Sequence, residues 1–265
     1  MAFSPVKELA LRFGILVRQP EKVRRPEIVA EFAALAADAM VIVGFGQIIP
    51  QTIIDLPRLG IINVHASLLP KYRGAAPINW ALIEGEKQTG VTIMRVEEGM
   101  DTGAMLLQRA VPIGPEEDAG TLHDRLADLG ASALAEALQM LGRGEAAWMP
   151  QNEAEATRAP KIRDEDCRLT LAGDPGSLVN RVRGLYPVPG AYLLWNEQRL
   201  KVLRADRRPE AGPPGTILRL ESQAIVCGTG IGALALYEVQ QEGKRRMTGA
   251  EFARGQRLQV GDRLA

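Results

Sequence analysis

The sequence predicts an α/β protein, with a parallel sheet flanked by helices in its first half and a small β-barrel in its second. Two observations carry this. Up to about Gly144 helical and strand-like stretches alternate, and the strand-like ones are continuous apolar runs, as strands buried on both faces of a parallel sheet are. Beyond Gly144 short strands follow one another, separated by turns rich in Gly, Pro and Asn, a spacing that suits a barrel.

Each element has its own signal. Ser4 and Pro5 form an N-cap and first-turn pair opening a helix to about Phe13, which Gly14 ends. Ile15-Leu16-Val17 reads as a short strand. Residues 26–37 read as a helix with Ile28, Phe32 and Leu35 on one face. Met40-Val41-Ile42-Val43 and Gly60 to His65 read as buried strands, the second ending in polar residues. Thr121 to Leu141 reads as a long amphipathic helix whose stripe is Leu122, Leu126, Leu129, Leu134, Leu138 and Leu141. Residues 145–165 have no firm period and read as a linker over the surface. After them come a helix over Gly176–Leu185 and strands over 191–195, 199–203, 215–220, 224–227 and 233–239. A short helix over Thr248–Arg254 ends the series, and no internal repeat is evident.

Composition narrows the class. The chain has 265 residues, 46% hydrophobic and 24% charged, as an ordinary globular protein does. It has no apolar run long enough for a membrane span, and its first residues lack a signal core, so a cytoplasmic location without a membrane partner is expected. Cys167 and Cys227 lack metal or redox spacing and read as packing thiols; no metal is expected. Net charge is zero but unevenly spread. From Asp166 onward fifteen Lys/Arg face ten Asp/Glu, about +5, which balances an acidic remainder and is a weak hint of nucleic-acid contact. Lys201, Arg204, Arg207 and Arg208, and separately Lys244-Arg245-Arg246, are the candidate phosphate contacts.

Asn63-Val64-His65-Ala66-Ser67-Leu68-Leu69-Pro70 and Asp101-Thr102-Gly103 carry the chemistry. They present an amide, an imidazole and a carboxylate, the side-chain types that transfer of a one-carbon acyl group to an amine needs. The chain has two histidines, and His65 ends an apolar strand where ligand sites of open α/β sheets lie. His123 falls on a helix and reads as structural or solvent-exposed. Asn63, two residues before His65, shares its strand face and can donate to an oxyanion. A carboxylate beside the imidazole can hold its tautomer; on spacing alone Asp101 is equally a turn residue. Gly44-Phe45-Gly46 lacks the third glycine of a dinucleotide fingerprint.

Taken with Asp101, Asn63-x-His65-x-Ser67-Leu68-Leu69-Pro70 resembles the signature of the 10-formyltetrahydrofolate-dependent formyltransferases. Lys71-Tyr72-Arg73-Gly74-Ala75-Ala76-Pro77-Ile78, Thr89-Gly90-Val91-Thr92-Ile93-Met94 and the tail motifs Pro214–Leu218, Lys244–Met247 and Gly261–Leu264 look like the branch that formylates methionyl-initiator tRNA. The resemblance runs from Ser4-Pro5-Val6-Lys7 to the last residues. It implies Asn63, His65 and Asp101 as the catalytic trio, and Ser67, Leu68, Leu69 and Pro70 as the loop against 10-formyltetrahydrofolate. It implies a Rossmann-like formyltransferase core over 1–146, a linker over 147–163 and an OB-like domain over 164–265. That last domain would help hold the tRNA, with Lys201, Arg204, Lys244, Arg245 and Arg246 as contacts. A monomer is expected.

One departure accompanies the resemblance. The family normally begins with a strand, a Gly-Thr-Pro-x-Phe-Ala turn, a helix, a second strand and a basic loop, none of which precedes Ser4 here. The expectation is a sheet lacking a central strand within roughly 45 absent residues, with backbone groups left to pair otherwise. Two other readings stay open at this point. One is a non-catalytic tRNA- or folate-binding remnant. The other is a formyltransferase of the same core acting on a nucleotide sugar or glycinamide ribonucleotide.

Overall fold

The computed structural model describes residues 3–264, in two compact units, one through Ile62 and one from Asn63 onward. The expected boundaries at 146 and 164 do not coincide with this division. No helix among the described residues is long and apolar enough to cross a membrane.

In the first unit α1 (Pro5–Arg12) opens as its sequence dictates, with the Ser4 side chain accepting from Lys7 N at 3.3 Å. α2 (Pro26–Ala34) starts at Pro26 and stops three residues earlier than periodicity suggests. β1 (Met40–Val43) lies beside the start of β2 (Ile61–His65), with Met40 N donating to Gly60 O at 3.3 Å. A short α3 (Gln51–Ile54) was not anticipated.

Two expectations fail here. Among the described residues Ile15–Val17 pairs with no strand, and Ile15 and Leu16 are exposed. The apolar run of β1 was expected to be buried on both faces, but Val41 is 41% and Val43 64% exposed. The physical reason is local: neither α1 nor α2 contains a buried residue, so neither roofs a layer. An apolar run records a capacity for burial, and covering it is the work of other elements.

In the second unit the end of β2 is followed across the sheet by β3 (Gln88–Arg95) and β4 (Met105–Pro112). These two strands are antiparallel, so the sheet is mixed and not purely parallel. Only residues 96–104 join them, too few for the crossover that a parallel pair requires. α4 (Pro77–Ile83) precedes β3, and α5 (Ala119–Arg143) follows β4. A capping box between Asp118 and Thr121 starts α5, and Gly144, at φ +71°, ends it. Its buried stripe is Leu122, Leu126, Gly130, Ala133, Ala137 and Leu141; Leu129 and Leu134 are only half-buried, and Leu138 is exposed. Small residues lie on the packed face because α5 sits close to the sheet. A Cβ added at Gly130 would lie 3.0 Å from Val64 Cγ1.

The C-terminal part follows the predicted series. α6 (Asp164–Cys167) and α7 (Pro175–Leu185) precede an antiparallel sheet of β5 (Ala191–Trp195), β6 (Gln198–Arg208), β7 (Ile217–Leu220), β8 (Ile225–Gly228) and β9 (Ala233–Gln241). The strand order is β5-β6-β9-β8-β7, with β10 (Met247–Thr248) added on β9. α8 (Gly249–Gln256) closes the domain through a Thr248–Glu251 capping box. One large core includes Leu185, Leu193, Leu200, Ile217, Ile225, Leu236 and Phe252, whose ring meets Trp195 edge-on at 5.1 Å. Both cysteines are buried packing groups, and burial pushes the Cys227 thiol up to about 12. α7 also touches α4, where the Asn79 side chain donates to Gly184 O at 2.7 Å.

Phe252→Ala should destabilise the C-terminal domain by about 3–5 kcal/mol, the range for a buried aromatic truncated to Ala. The urea midpoint followed by tryptophan fluorescence measures it, since Trp195 meets this ring edge-on.

Candidate active site

The site forms where β2 runs out. Strand alternation puts Asn63 and His65 on one face, while Val64 turns toward α5. Asp101 comes from the loop joining β3 to β4, where its backbone is left-handed at φ +56°. The structure brings these three side chains together. His65 Nδ1 lies 3.6 Å from Asp101 Oδ2, and Asn63 Nδ2 donates to Asp101 Oδ1 across 3.5 Å. Asp101 Oδ2 also accepts from Gly74 N at 2.9 Å. On its other side His65 Nε2 is 2.9 Å from the Tyr72 carbonyl.

His65 is 5% exposed, yet both of its ring nitrogens face oxygen acceptors. A neutral ring donates to one of these oxygens at a time, and only a ring with both nitrogens protonated donates to both. Among the described residues the Asn63 amide meets one distant acceptor, so it keeps donor capacity for another oxygen. Tyr72 is no rival acid: burial, then its 2.9 Å bond to Glu86, pushes its hydroxyl upward, away from proton transfer near neutrality.

The predicted folate loop is held from beneath by a buried polar knot. Thr92 Oγ1 donates to Ser67 O at 2.7 Å and accepts from Leu69 N at 3.1 Å. Gln108 Nε2 donates to Leu69 O at 2.9 Å and to Thr92 Oγ1 at 3.0 Å. Ser67 is fully buried, and its hydroxyl donates to Lys71 O at 2.6 Å, so that side chain is spent on the loop itself. Leu69 packs with Met94 and Met105 in a small buried cluster, Pro70 is also buried, and Leu68 leans over Gly90. At Gly74, φ is +128° and a Cβ would lie 2.5 Å from Ala159 O, so this turn accepts only glycine.

The expected nucleic-acid residues are not gathered into one place. Arg204 and Arg246 line a cavity of about 850 Å³ together with Arg183, Tyr186 and Tyr237. Arg246 donates to Tyr186 OH at 3.1 Å, and Arg204 lies 5.4 Å over the Tyr237 ring. Lys201 is engaged with Pro189 O at 2.9 Å and does not line it. Lys244 and Arg245 lie on an exposed turn outside it. The cavity also carries Glu116, Asp118, Asp206, Glu238 and Glu251, so carboxylates outnumber its arginines and its lining is net acidic. His123 is exposed, with Nδ1 3.1 Å from Asp124 Oδ1, and belongs to no site described here.

Residues 2–138 match the family model described as formyl transferase, and residues 161–257 match that described as formyl transferase, C-terminal domain. The chain belongs to the formyl transferase family. Among curated formyl transferases it is 48% identical over 260 residues to the methionyl-tRNA formyltransferase of Geobacter sulfurreducens, covering 98% of this chain and 82% of that one. With the methionyl-tRNA formyltransferase of Solibacter usitatus it shares 50% identity over 267 residues, covering 99% and 85%. Two solved structures have the same fold. HypX from Aquifex aeolicus in complex with tetrahydrofolic acid superposes with a TM-score of 0.66 at 22% identity, over 86% of this chain and 41% of that one. An N-formyltransferase from Helicobacter canadensis, bound to folinic acid and dTDP-3-aminofucose, gives 0.66 at 16% identity, over 88% and 81%. The Rossmann-like catalytic fold followed by an antiparallel C-terminal domain is thus the fold of this formyl transferase.

Sequence reasoning missed Thr92, Gln108 and Gln151 as supports of the site. The first two lie on strands that no periodicity argument had picked out, and the third lies in the segment read as linker. A polar residue within an apolar strand, as Thr92 is between Val91 and Ile93, was the available signal.

Thr92→Val should leave Ser67 O and Leu69 N unpaired in a dry interior. Each buried orphan costs about 1–3 kcal/mol, so a loss in this range or above is expected in chemical denaturation, with no change in side-chain volume to blame.

Proposed function

We infer that the chain transfers a formyl group to the α-amino group of methionyl-initiator tRNA, the step that prepares this tRNA for translation initiation. The observation that carries the reading is the convergence of the Asn63 amide, the His65 imidazole and the Asp101 carboxylate at the end of β2. The donor is 10-formyltetrahydrofolate, with Ser67 to Pro70 as the loop against it, although the Ser67 hydroxyl is committed inside the loop. The tetrahydrofolic acid bound by HypX supports a folate-type donor here.

The reaction exchanges one C–N bond for another. The methionine nitrogen attacks the formyl carbon and its proton passes to His65. The carbonyl oxygen becomes an oxyanion that the Asn63 Nδ2–H can meet, and Asp101 balances the imidazolium. Collapse breaks the bond to the folate nitrogen, to which His65 returns the proton. No redox partner is required.

Among acceptors, relatives 43–50% identical over nearly the whole chain are named for methionyl-tRNA. Structures named for sugar N-formyl transfer are 17–25% identical. The basic C-terminal part adds to the tRNA reading, with Arg204 and Arg246 at the cavity, and Lys201, Lys244 and Arg245 as outlying phosphate contacts.

His65→Ala should lower transfer by about 10²–10⁴-fold, and Asn63→Ala by about 10²–10³-fold, both with methionyl-tRNA still bound. Single-turnover assays with labelled 10-formyltetrahydrofolate, paired with filter binding, measure this. Unchanged rates would remove the assignment, and binding by the parent chain without turnover would favour the non-catalytic reading.

A further inference from the structure

Residues 149–160, read from sequence as a plain linker, are bound along the loop that follows β2. Thr157 N donates to Pro70 O at 3.3 Å, and Arg73 N donates to Thr157 O at 2.9 Å. Ala159 N donates to Arg73 O at 2.7 Å, Ala76 N to Ala159 O at 3.2 Å, and Tyr72 N to Thr157 Oγ1 at 2.8 Å. Nearer its start, Met149 pairs with Met105 at the head of β4. This segment is therefore a strap that touches both the loop after β2 and the strand that leaves the Asp101 turn.

Gln151 sits in the strap at the point where these two meet. Its Nε2 donates to Asp101 O at 2.7 Å and to Gly103 O at 2.8 Å. Its Oε1 accepts from Arg73 Nε at 3.0 Å and Nη2 at 2.8 Å. Both donors and both lone pairs of one amide are thus in use. Arg73 continues outward in a two-pronged pair with Glu153, at 2.7 and 2.9 Å.

This pattern answers a need of Asp101. A non-glycine residue at φ +56° stays in the left-handed region when its surroundings hold it there. From there its carboxylate reaches His65 Nδ1, Asn63 Nδ2 and Gly74 N together. Relaxation of the turn toward ordinary backbone angles would swing the carboxylate off all three. Gln151 grips the two carbonyls that bracket the turn, and Arg73 fixes Gln151.

We propose that Gln151 is a positioning residue for formyl transfer, pinning the Asp101 turn so that the carboxylate faces His65 and Asn63. The proposal rests on the reading of these three residues as the catalytic trio. It explains why a neutral amide stands here: the side chain must donate to two carbonyls and accept from a guanidinium, which neither a carboxylate nor an apolar group can do.

Gln151→Glu in the full chain separates the two halves of the role. It keeps size and the Arg73 partner, even strengthening that pair, but turns oxygen lone pairs onto the carbonyls of Asp101 and Gly103. The expected result is a kcat lower by on the order of 10- to 100-fold, with KM for both substrates within about twofold, as for a small misplacement of a reacting group. The amide proton of Gly74, whose resonance reports its bond to the Asp101 carboxylate, should shift in the same variant. Gln151→Met, which removes the bonds without adding charge, should reproduce both effects if the Glu variant does not fold. Glu153→Gln, which loosens only the outer end, should leave kcat within about twofold. A Gly74 resonance at its parent position, or a kcat within about twofold of the parent, overturns the proposal. If the parent chain itself transfers no formyl group, the proposed function fails, and the Gly74 resonance still decides whether Gln151 pins the turn.

Discussion

The contact on which the candidate site depends is the one the Asp101 carboxylate makes with three partners from the β2 side. One oxygen lies against the imidazole and the Gly74 amide, and the other against the Asn63 amide. A carboxylate can serve all three only because two loops far apart in sequence are brought edge to edge. Each loop has its own cost: a left-handed Asp101 in one, and in the other a Gly74 turn with no room for a Cβ. Residues that would be loosely ordered alone become exact in position when they share one charge.

The surrounding fold reads as the support for that contact. β2 and β3 deliver Asn63, His65 and Thr92 from regular structure, where side-chain direction is set by alternation. The Thr92–Gln108 knot keeps the Ser67–Pro70 backbone in place from within. The 149–160 strap does the same from outside. The buried polar groups of the loop are therefore nearly all paired inside the protein. The Ser67 hydroxyl, bonded to Lys71 O, is one of the groups spent in this way.

Different parts of the molecule were legible to different degrees. In the C-terminal part, the spacing of short strands by turns rich in Gly, Pro and Asn marked nearly every strand, because the turns between successive strands are short and carry their own residue signals. β3 and β4 went unread because mixed polar and apolar residues such as Gln108 and Arg109 hide a strand whose polar groups have local uses. The α5 stripe was misjudged for another reason. Leucine marks hydrophobicity, whereas the closest approach of helix to sheet selects Gly130, Ala133 and Ala137. In the first unit, apolarity was read as burial, and Val41 and Val43 show that the two are separate properties.

By itself the sequence determined the chemistry on offer: an amide and an imidazole two residues apart on a strand end, a carboxylate in a glycine-flanked turn, and motifs that name a family. These are local, since spacing along a strand dictates which face a side chain takes. Only the tertiary structure decided that Asp101 meets His65, that Thr92 and Gln108 tie the loop, and that Gln151 grips the Asp101 turn. Such bonds join residues dozens of positions apart, so their geometry follows from how the backbones pack, and no pattern within either segment carries it.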